Sequence, residues 1–193
     1  MPSEVDVIMG DFNDLYRVLG NIPHLMAKAE RNTLKKGAAV VMGAAKKKLG
    51  TYQGESGGYK AWVKLKPETV RKKHMSKTKA GALTRAGKRY KEKHGAWGAG
   101  GNDDSPLVDS GSLRQAITTD EKQINKGVAY VGVASGSSDS KKGDPGSYAA
   151  AHEFGYEPKN IPARPFLRPA LHENRDQIKE IAKKEIIKSL RRL

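Results

Sequence analysis

The sequence predicts an α+β fold: a small antiparallel β-sheet packed by a long N-terminal and a C-terminal α-helix, with long Gly- and Lys-rich loops between them. Three observations carry that prediction. Apolar residues recur at helical spacing over residues 23–49 and again from about residue 169 to the end. Two short β-type runs lie between these stretches. Gly numbers 21 in 193 residues, many of them grouped in the connections. Hydrophobic residues make up only 37% of the chain and aromatics 6%, so the core should be small for this length. Residues 1–193 read as a single domain, with a basic flexible insertion at about 76–101 and a flexible loop at about 135–147.

Taken in order, residues 11–19 suit a short helix that Gly20-Asn21-Ile22-Pro23 breaks, and Pro23 is well placed to begin the next one. In that second helix Met26, Ala29, Thr33, Gly37, Val40, Val41 and Ala44 share a face, while Lys28, Arg31, Lys35, Lys46 and Lys47 mostly lie elsewhere. Gly37 costs a helix about 1 kcal/mol relative to Ala, so a closely approaching neighbour is expected there. Gly50 suits the helix end. Residues 51–101 should hold little regular structure beyond a short helix at 67–75, begun by Pro67 with Glu68 in its first turn.

Asp109-Ser110-Gly111-Ser112-Leu113 reads as a turn in which Ser or Asp caps a short helix. Strands are expected at 116–120 and 126–134, joined as an antiparallel hairpin. Residues 148–154 suit a helix stopped at Gly155, and Pro158, Pro162, Pro165 and Pro169 should keep the following stretch extended. In the last helix Leu171, Ile178, Ile181, Ala182, Ile186 and Leu190 line one face, with Ile187 on the other side.

The formal net charge is +15, and residues 60–93 hold most of it: ten Lys and three Arg against Glu68 and Glu92, a net +11. Such a block stays extended unless phosphates or an acidic surface neutralise it. The chain has no Cys, which excludes a disulfide framework, thiolate metal sites and a thiol nucleophile. No run reaches the roughly 18 to 20 apolar residues of a membrane span, and the first residues lack the pattern of a signal peptide. No membrane association, cofactor or metal is expected. Nor is an enzyme: His152-Glu153 lacks the second His of a zinc-binding helix, and His24, His74, His94 and His172 stand apart. There is no phosphate-binding Gly-x-x-x-x-Gly-Lys-Ser/Thr loop.

Three strings are more specific. The first runs Trp62-Val63-Lys64-Leu65-Lys66-Pro67-Glu68-Thr69 with Lys72-Lys73, and the second Pro106-Leu107-Val108-Asp109-Ser110-Gly111-Ser112-Leu113-Arg114. The third joins Tyr148-Ala149-Ala150-Ala151-His152-Glu153-Phe154-Gly155 to Ile161-Pro162-Ala163-Arg164-Pro165-Phe166-Leu167-Arg168-Pro169-Ala170. In this order they resemble the tail-completion, or head-to-tail joining, family of long-tailed bacteriophages. That family shares the pattern Trp, Leu-x-Pro-x-Thr, Pro-Leu-x-Asp-Thr-Gly-x-Leu, His-Glu-Phe-Gly and Pro-Ala-Arg-Pro-Phe-Leu.

Ser110 stands where the family often has Thr, and the basic stretch 76–101 and the loop 135–146 depart from it. The resemblance covers the chain from about Trp62 onward. It implies a small antiparallel sheet packed by helices, and a structural virion protein that assembles into a ring, usually hexameric, at the head-tail junction. The implied partners are a head-closure or connector protein, a tail terminator or tail tube protein, and the genomic DNA passing through the channel. A tail terminator of similar fold is the neighbouring alternative.

Glu153, Phe154, Arg164, Phe166, Leu167 and Arg168 are the candidate interface or fold-anchoring residues. Burial of Phe166 and Leu167 would each contribute about 1.5 to 3 kcal/mol, and the planar fork of Arg164 suits a carboxylate such as Glu153. A nonspecific nucleic-acid-binding protein is the competing expectation. Lys64, Lys66, Arg71, Lys72, Lys73, Arg85, Lys88 and Arg89 are the candidate contacts to DNA or to an acidic partner, interleaved with Trp62 and Tyr90 as stacking platforms and followed by Trp97.

Overall fold

A computed structural model describes residues 4–74, 82–94, 105–108, 111–136 and 143–191. Within them the fold is α+β: seven helices and a two-stranded antiparallel sheet. The helices are α1 (Glu4–Lys48), α2 (Pro67–His74), α3 (Arg85–His94), α4 (Ser112–Ala116), α5 (Pro145–Phe154), α6 (Leu167–Glu173) and α7 (Arg175–Leu190). The strands are β1 (Ile117–Asp120) and β2 (Tyr130–Val133).

The break expected at Gly20-Asn21-Ile22-Pro23 does not occur, and α1 runs through Pro23. A proline ring holds φ near the helical value and removes one backbone bond. Leu19, Gly20, Asn21, Pro23 and His24 are exposed, so the carbonyl left without its donor can be hydrated. At the other end α1 stops as expected, with Gly50 in the left-handed region at φ 97° and its amide donating to the Pro106 carbonyl at 2.9 Å.

The short helix at 67–75 is present as α2. Helix α3, by contrast, falls in the stretch expected to lack regular structure. Thr84 starts it: its Oγ1 accepts from the Gly87 amide at 3.2 Å, an N-cap that the surrounding basic run obscures in the sequence. Residues 75–81, 95–104, 109–110 and 137–142 carry the rest of the expected insertion, Asp109 and Ser110 of the turn before α4 and the centre of the later loop, and lie outside the described residues. The N-cap of α4 is Gly111 at φ 85°, rather than a Ser or Asp side chain.

Strand β2 is shorter than the expected 126–134, because a 3₁₀ turn at Ile124–Lys126 ends in left-handed Gly127 (φ 77°). Helix α5 begins three residues earlier than expected. Asp144 caps it by accepting from the Gly146 amide, and Pro145 occupies the first position. The single C-terminal helix divides at Asn174 into α6 and α7.

The chain groups into two compact units. The first comprises residues 1–41, 119–131 and 173–193. There Ile178 of α7 lies against Gly37, where an added Cβ would stand 3.4 Å from its Cγ2; the close neighbour expected at this glycine is present. Of the apolar face expected for α7, Ile178, Ile181 and Ala182 are half-buried, but its farther end is not turned inward. Glu185 and Ser189 are buried, whereas Ile186, Ile187 and Leu190 are exposed. Glu185 reaches α1, where Lys36 Nζ and Asn32 Nδ2 donate to its carboxylate at 2.5 and 3.0 Å, and these bonds set the rotation of α7. They also hold its carboxyl below the usual carboxylate range, Lys36 contributing most.

The second unit comprises residues 42–118 and 132–172. Its core holds Ala45 and Leu49 from the end of α1, Val70 of α2, Leu113 and Ala116 of α4, Ile117, Ala149, and Ala170 of α6, around Trp62 and the fully buried Phe166. Helix α4 packs against α5. Among the described residues, no helix is long and apolar enough to cross a membrane.

Candidate functional site

The second unit brings the sequence strings together through bonds from side chains to backbone. Helix α5 ends at Phe154, with Gly155 at φ 83° turning the chain away, and this leaves Glu153 on the last turn facing inward at 4% exposure. The chain returns through an isolated antiparallel bridge between Tyr156 and Ile161 and then runs extended through Pro162 and Pro165. Helix α6 begins immediately afterwards. Its first amides have no partners within the helix. Glu153 supplies them: Oε2 accepts from the amides of Phe166 at 2.7 Å and Leu167 at 3.0 Å, and Oε1 accepts from that of Arg168 at 3.1 Å.

Arg168 closes the arrangement from outside. Its Nε donates to Glu153 Oε1 at 3.1 Å and its Nη2 to the Glu153 carbonyl at 2.8 Å. The guanidinium lies 4.4 Å from the ring centroid of Phe154 and 5.5 Å from that of Tyr59, so the otherwise exposed Phe154 carries a cation on its face. Tyr59 is brought there by a tight turn at Ser56–Tyr59, in which Gly57 and Gly58 both have positive φ, and its ring meets His172 edge-on at 6.4 Å.

The expected partnership of Arg164 with Glu153 is not formed. Arg164 is buried at 5% exposure, and its Nε and Nη2 both donate to the Val63 carbonyl, at 3.3 and 2.9 Å. Its backbone amide donates to the His152 carbonyl at 2.6 Å. Burial lowers the pKa of the guanidinium, and Tyr52 opposes that shift. Glu153 is occupied instead by the start of α6 and by Arg168, because three adjacent amides and a cation outweigh a single fork. Trp62 completes the link by donating from Nε1 to the Pro165 carbonyl at 3.2 Å.

Of the expected anchors, Glu153, Arg164, Phe166 and Arg168 are thus joined in one fastening, with Leu167 held through its amide and Phe154 lying at its surface. Tyr59 and Val63 are the contributors that sequence reasoning misses. A Gly-Gly pair before an aromatic was the available signal for Tyr59; a carbonyl acceptor leaves none.

His152 sits behind this fastening. Its Nδ1 is buried without a hydrogen-bond partner, its ring meets Tyr148 edge-on at 6.1 Å, and burial followed by the charge of Arg164 pushes its pKa below the ordinary value. Among the described residues, no three His, Asp or Glu gather to hold a metal ion.

The basic candidates divide differently. Lys64, Lys66, Arg85, Lys88 and Arg89 are exposed, and Arg71, Lys72 and Lys73 lie on α2. Trp62 is buried and hydrogen-bonded, so it is not a stacking platform for bases; Trp97 and the side chain of Tyr90 lie outside the described residues. A further cationic cluster lies at the end of α1, where Lys46, Lys47 and Arg114 line an open pocket and Arg114 donates to the Leu49 carbonyl.

No family model matches this chain, and no solved structure does. It is similar to an uncharacterized protein of Methanocaldococcus jannaschii, 50% identical over 44 residues, a stretch covering 23% of this chain and 32% of that protein. The match therefore spans about a third of the relative's length.

Proposed function

We propose that this chain is a structural virion protein of a long-tailed bacteriophage, a ring-forming tail-completion protein that joins the tail to the DNA-filled head. The observation that carries this reading is the use made of the resembling strings. Trp62-Val63, His152-Glu153 and Pro165-Phe166-Leu167-Arg168 tie one another down, with charged side chains spent on backbone amides and carbonyls. Groups committed in this way hold a shape and are poorly available for catalysis, so the reading includes no enzymatic activity. Exposed Phe154, Tyr156, Leu171, Ile186 and Ile187 supply apolar surface of the kind that partner proteins cover.

Electron microscopy of particles from a phage lacking this gene tests the role. Filled heads beside finished but unattached tails are expected. Normal virions would remove the proposal, and absent or overlong tails would move the protein to tail termination.

A nonspecific contact with nucleic acid is favoured by one observation, the exposure of Lys64, Lys66, Arg85, Lys88 and Arg89. It is compatible with a ring through which the genome passes. Duplex binding that falls steeply between roughly 50 and 200 mM salt is its signature; no measurable binding would leave acidic partner proteins as the target.

A further inference from the structure

The second unit holds an open pocket of ≈ 530 Å³ at the end of α1, lined chiefly by Lys46, Lys47, Thr51, Ser105, Val108 and Arg114. Its three charged lining residues are all cations, and its other polar side chains are hydroxyls. None of the basic residues from 64 to 89 lines it.

Cations in the last turn of a helix ordinarily answer its final carbonyls and the negative end of its dipole. Here other groups meet those carbonyls. That of Lys48 accepts from the Thr51 amide at 3.4 Å and from Gln53 Nε2 at 3.2 Å, and that of Leu49 accepts from Arg114 Nη2. The side chains of Lys46 and Lys47 take no part in these bonds, and among the described residues neither is paired with an acid.

Arg114 is tethered at one end only. Nη2 is held by the Leu49 carbonyl, while among the described residues its other donors make no hydrogen bond. Gly50 permits this placement, since a Cβ there would stand 3.3 Å from both Arg114 Nη2 and Val108 Cγ2. A guanidinium fixed in this way loses less freedom when a ligand arrives.

We propose that this pocket binds a phosphate group, which Arg114 receives with its free donors and Lys46 and Lys47 neutralise. A phosphate presents more acceptor oxygens than a carboxylate and, when free, more charge, so it answers three cations and two hydroxyls more fully. Two sources supply this chemistry, the free anion and the backbone of a nucleic acid, and an open pocket admits either. The assignment does not depend on the virion role. Asp103, Asp104 and Asp109 adjoin Ser105 and Val108 in the sequence, so the chain's own acids are the occupant against which a phosphate is tested.

Nuclear magnetic resonance on the full-length protein, labelled with nitrogen-15, provides the test. Inorganic phosphate, compared with chloride at equal ionic strength, should move the amide signals of Gly50 and Thr51 and the Nε–H signal of Arg114. Lys46→Gln combined with Lys47→Gln leaves every bond named above in place, so unchanged helical circular dichroism is expected, with affinity lowered about tenfold or more. Arg114→Lys keeps the charge without the fork and should also weaken binding.

A short DNA duplex separates the two sources. If a nucleic-acid backbone is the ligand, the duplex moves the same three signals, and the double lysine variant lowers the slope of log affinity against log salt by about two. If the free anion is the ligand, phosphate moves them and the duplex does not. Signals that stay still with both probes would overturn the proposal, as would a response that the double variant shares in full. Signals that move only after Asp103, Asp104 and Asp109 are changed to Asn would overturn it as well, because the pocket then serves the chain's own acids. The virion role is decided separately by electron microscopy.

Discussion

Glu153 and Arg168 meet twice, once through the carboxylate and Nε at 3.1 Å and once through the Glu153 carbonyl and Nη2 at 2.8 Å. The same carboxylate accepts three backbone amides from the first turn of α6. A buried charge is costly unless its lone pairs are filled, and here four donors fill them. The carboxylate therefore fixes where α6 begins, and with it the placement of Phe166 in the core. Arg168 adds less, since its side chain is 45% exposed and water can replace part of what it supplies.

Substitutions at the two residues should separate accordingly. Glu153→Gln turns an amide donor toward the backbone donors of α6, and should destabilise the protein by about 2 to 4 kcal/mol. Arg168→Ala leaves the three amides satisfied and should cost about 1 kcal/mol. Urea unfolding of both variants checks this; equal losses would mean that the ion pair, and not the capping, is the main contribution.

Arg164 allows a second comparison. Because Nε and Nη2 converge on a single carbonyl, a lysine can replace one bond but not the pair, and Arg164→Lys should cost about 1 to 2 kcal/mol. Arg164→Ala, which also leaves the Val63 carbonyl without a donor, should cost more. An Arg164→Lys protein with wild-type stability would show that the fork geometry is not used.

These residues also show what was legible in the sequence. That Glu153, Arg164, Phe166 and Arg168 belong together was implied by the strings of the resemblance, but the pairing among them was not. The acceptor chosen by each cation depends on where α6 begins, which a string does not state. Helix α1 is a similar case. Pro23 is a genuine break signal, overridden because the helix on either side continues and the freed carbonyl is exposed. In α7 periodicity alone placed Ile186 and Leu190 inward, whereas the bonds from Lys36 and Asn32 turn Glu185 in instead. Hydrophobic pattern reads faces well when burial is the only force, and fails where a long-range polar bond sets the rotation.

Two glycines should respond in opposite directions. At Gly37 an added Cβ would lie 3.4 and 3.6 Å from Ile178, an ordinary contact, so Gly37→Ala should stabilise the protein by about 0.5 to 1 kcal/mol through helix propensity. At Gly57 the backbone is left-handed at φ 57°, and a Cβ would stand 2.5 Å from His172 Nδ1. Gly57→Ala should cost about 1 to 2 kcal/mol and displace His172 from its edge-on contact with Tyr59. Thermal unfolding of the two variants decides; a destabilised Gly37→Ala would mean that α7 cannot yield even a few tenths of an ångström.

Acidification should act on the two units in different windows. In the folded protein His152 has a pKa below its ordinary 6.5, so below that pH the unfolded chain takes up a proton that the folded chain resists, and stability falls as pH drops. The loss levels off once pH passes below the folded value. Glu185 is shifted in the same direction from 4.5, chiefly by Lys36, so its contribution is complete above 4.5 and disappears as pH falls through its lower folded value. Hydrogen exchange followed by peptide should therefore show α5 and the segment leading to α6 loosening first, as pH falls below about 6.5, with α7 holding until pH drops below about 4.5. His152→Gln should abolish the first phase and leave the second; loss of α7 protection in the first window would show that the two units do not respond separately.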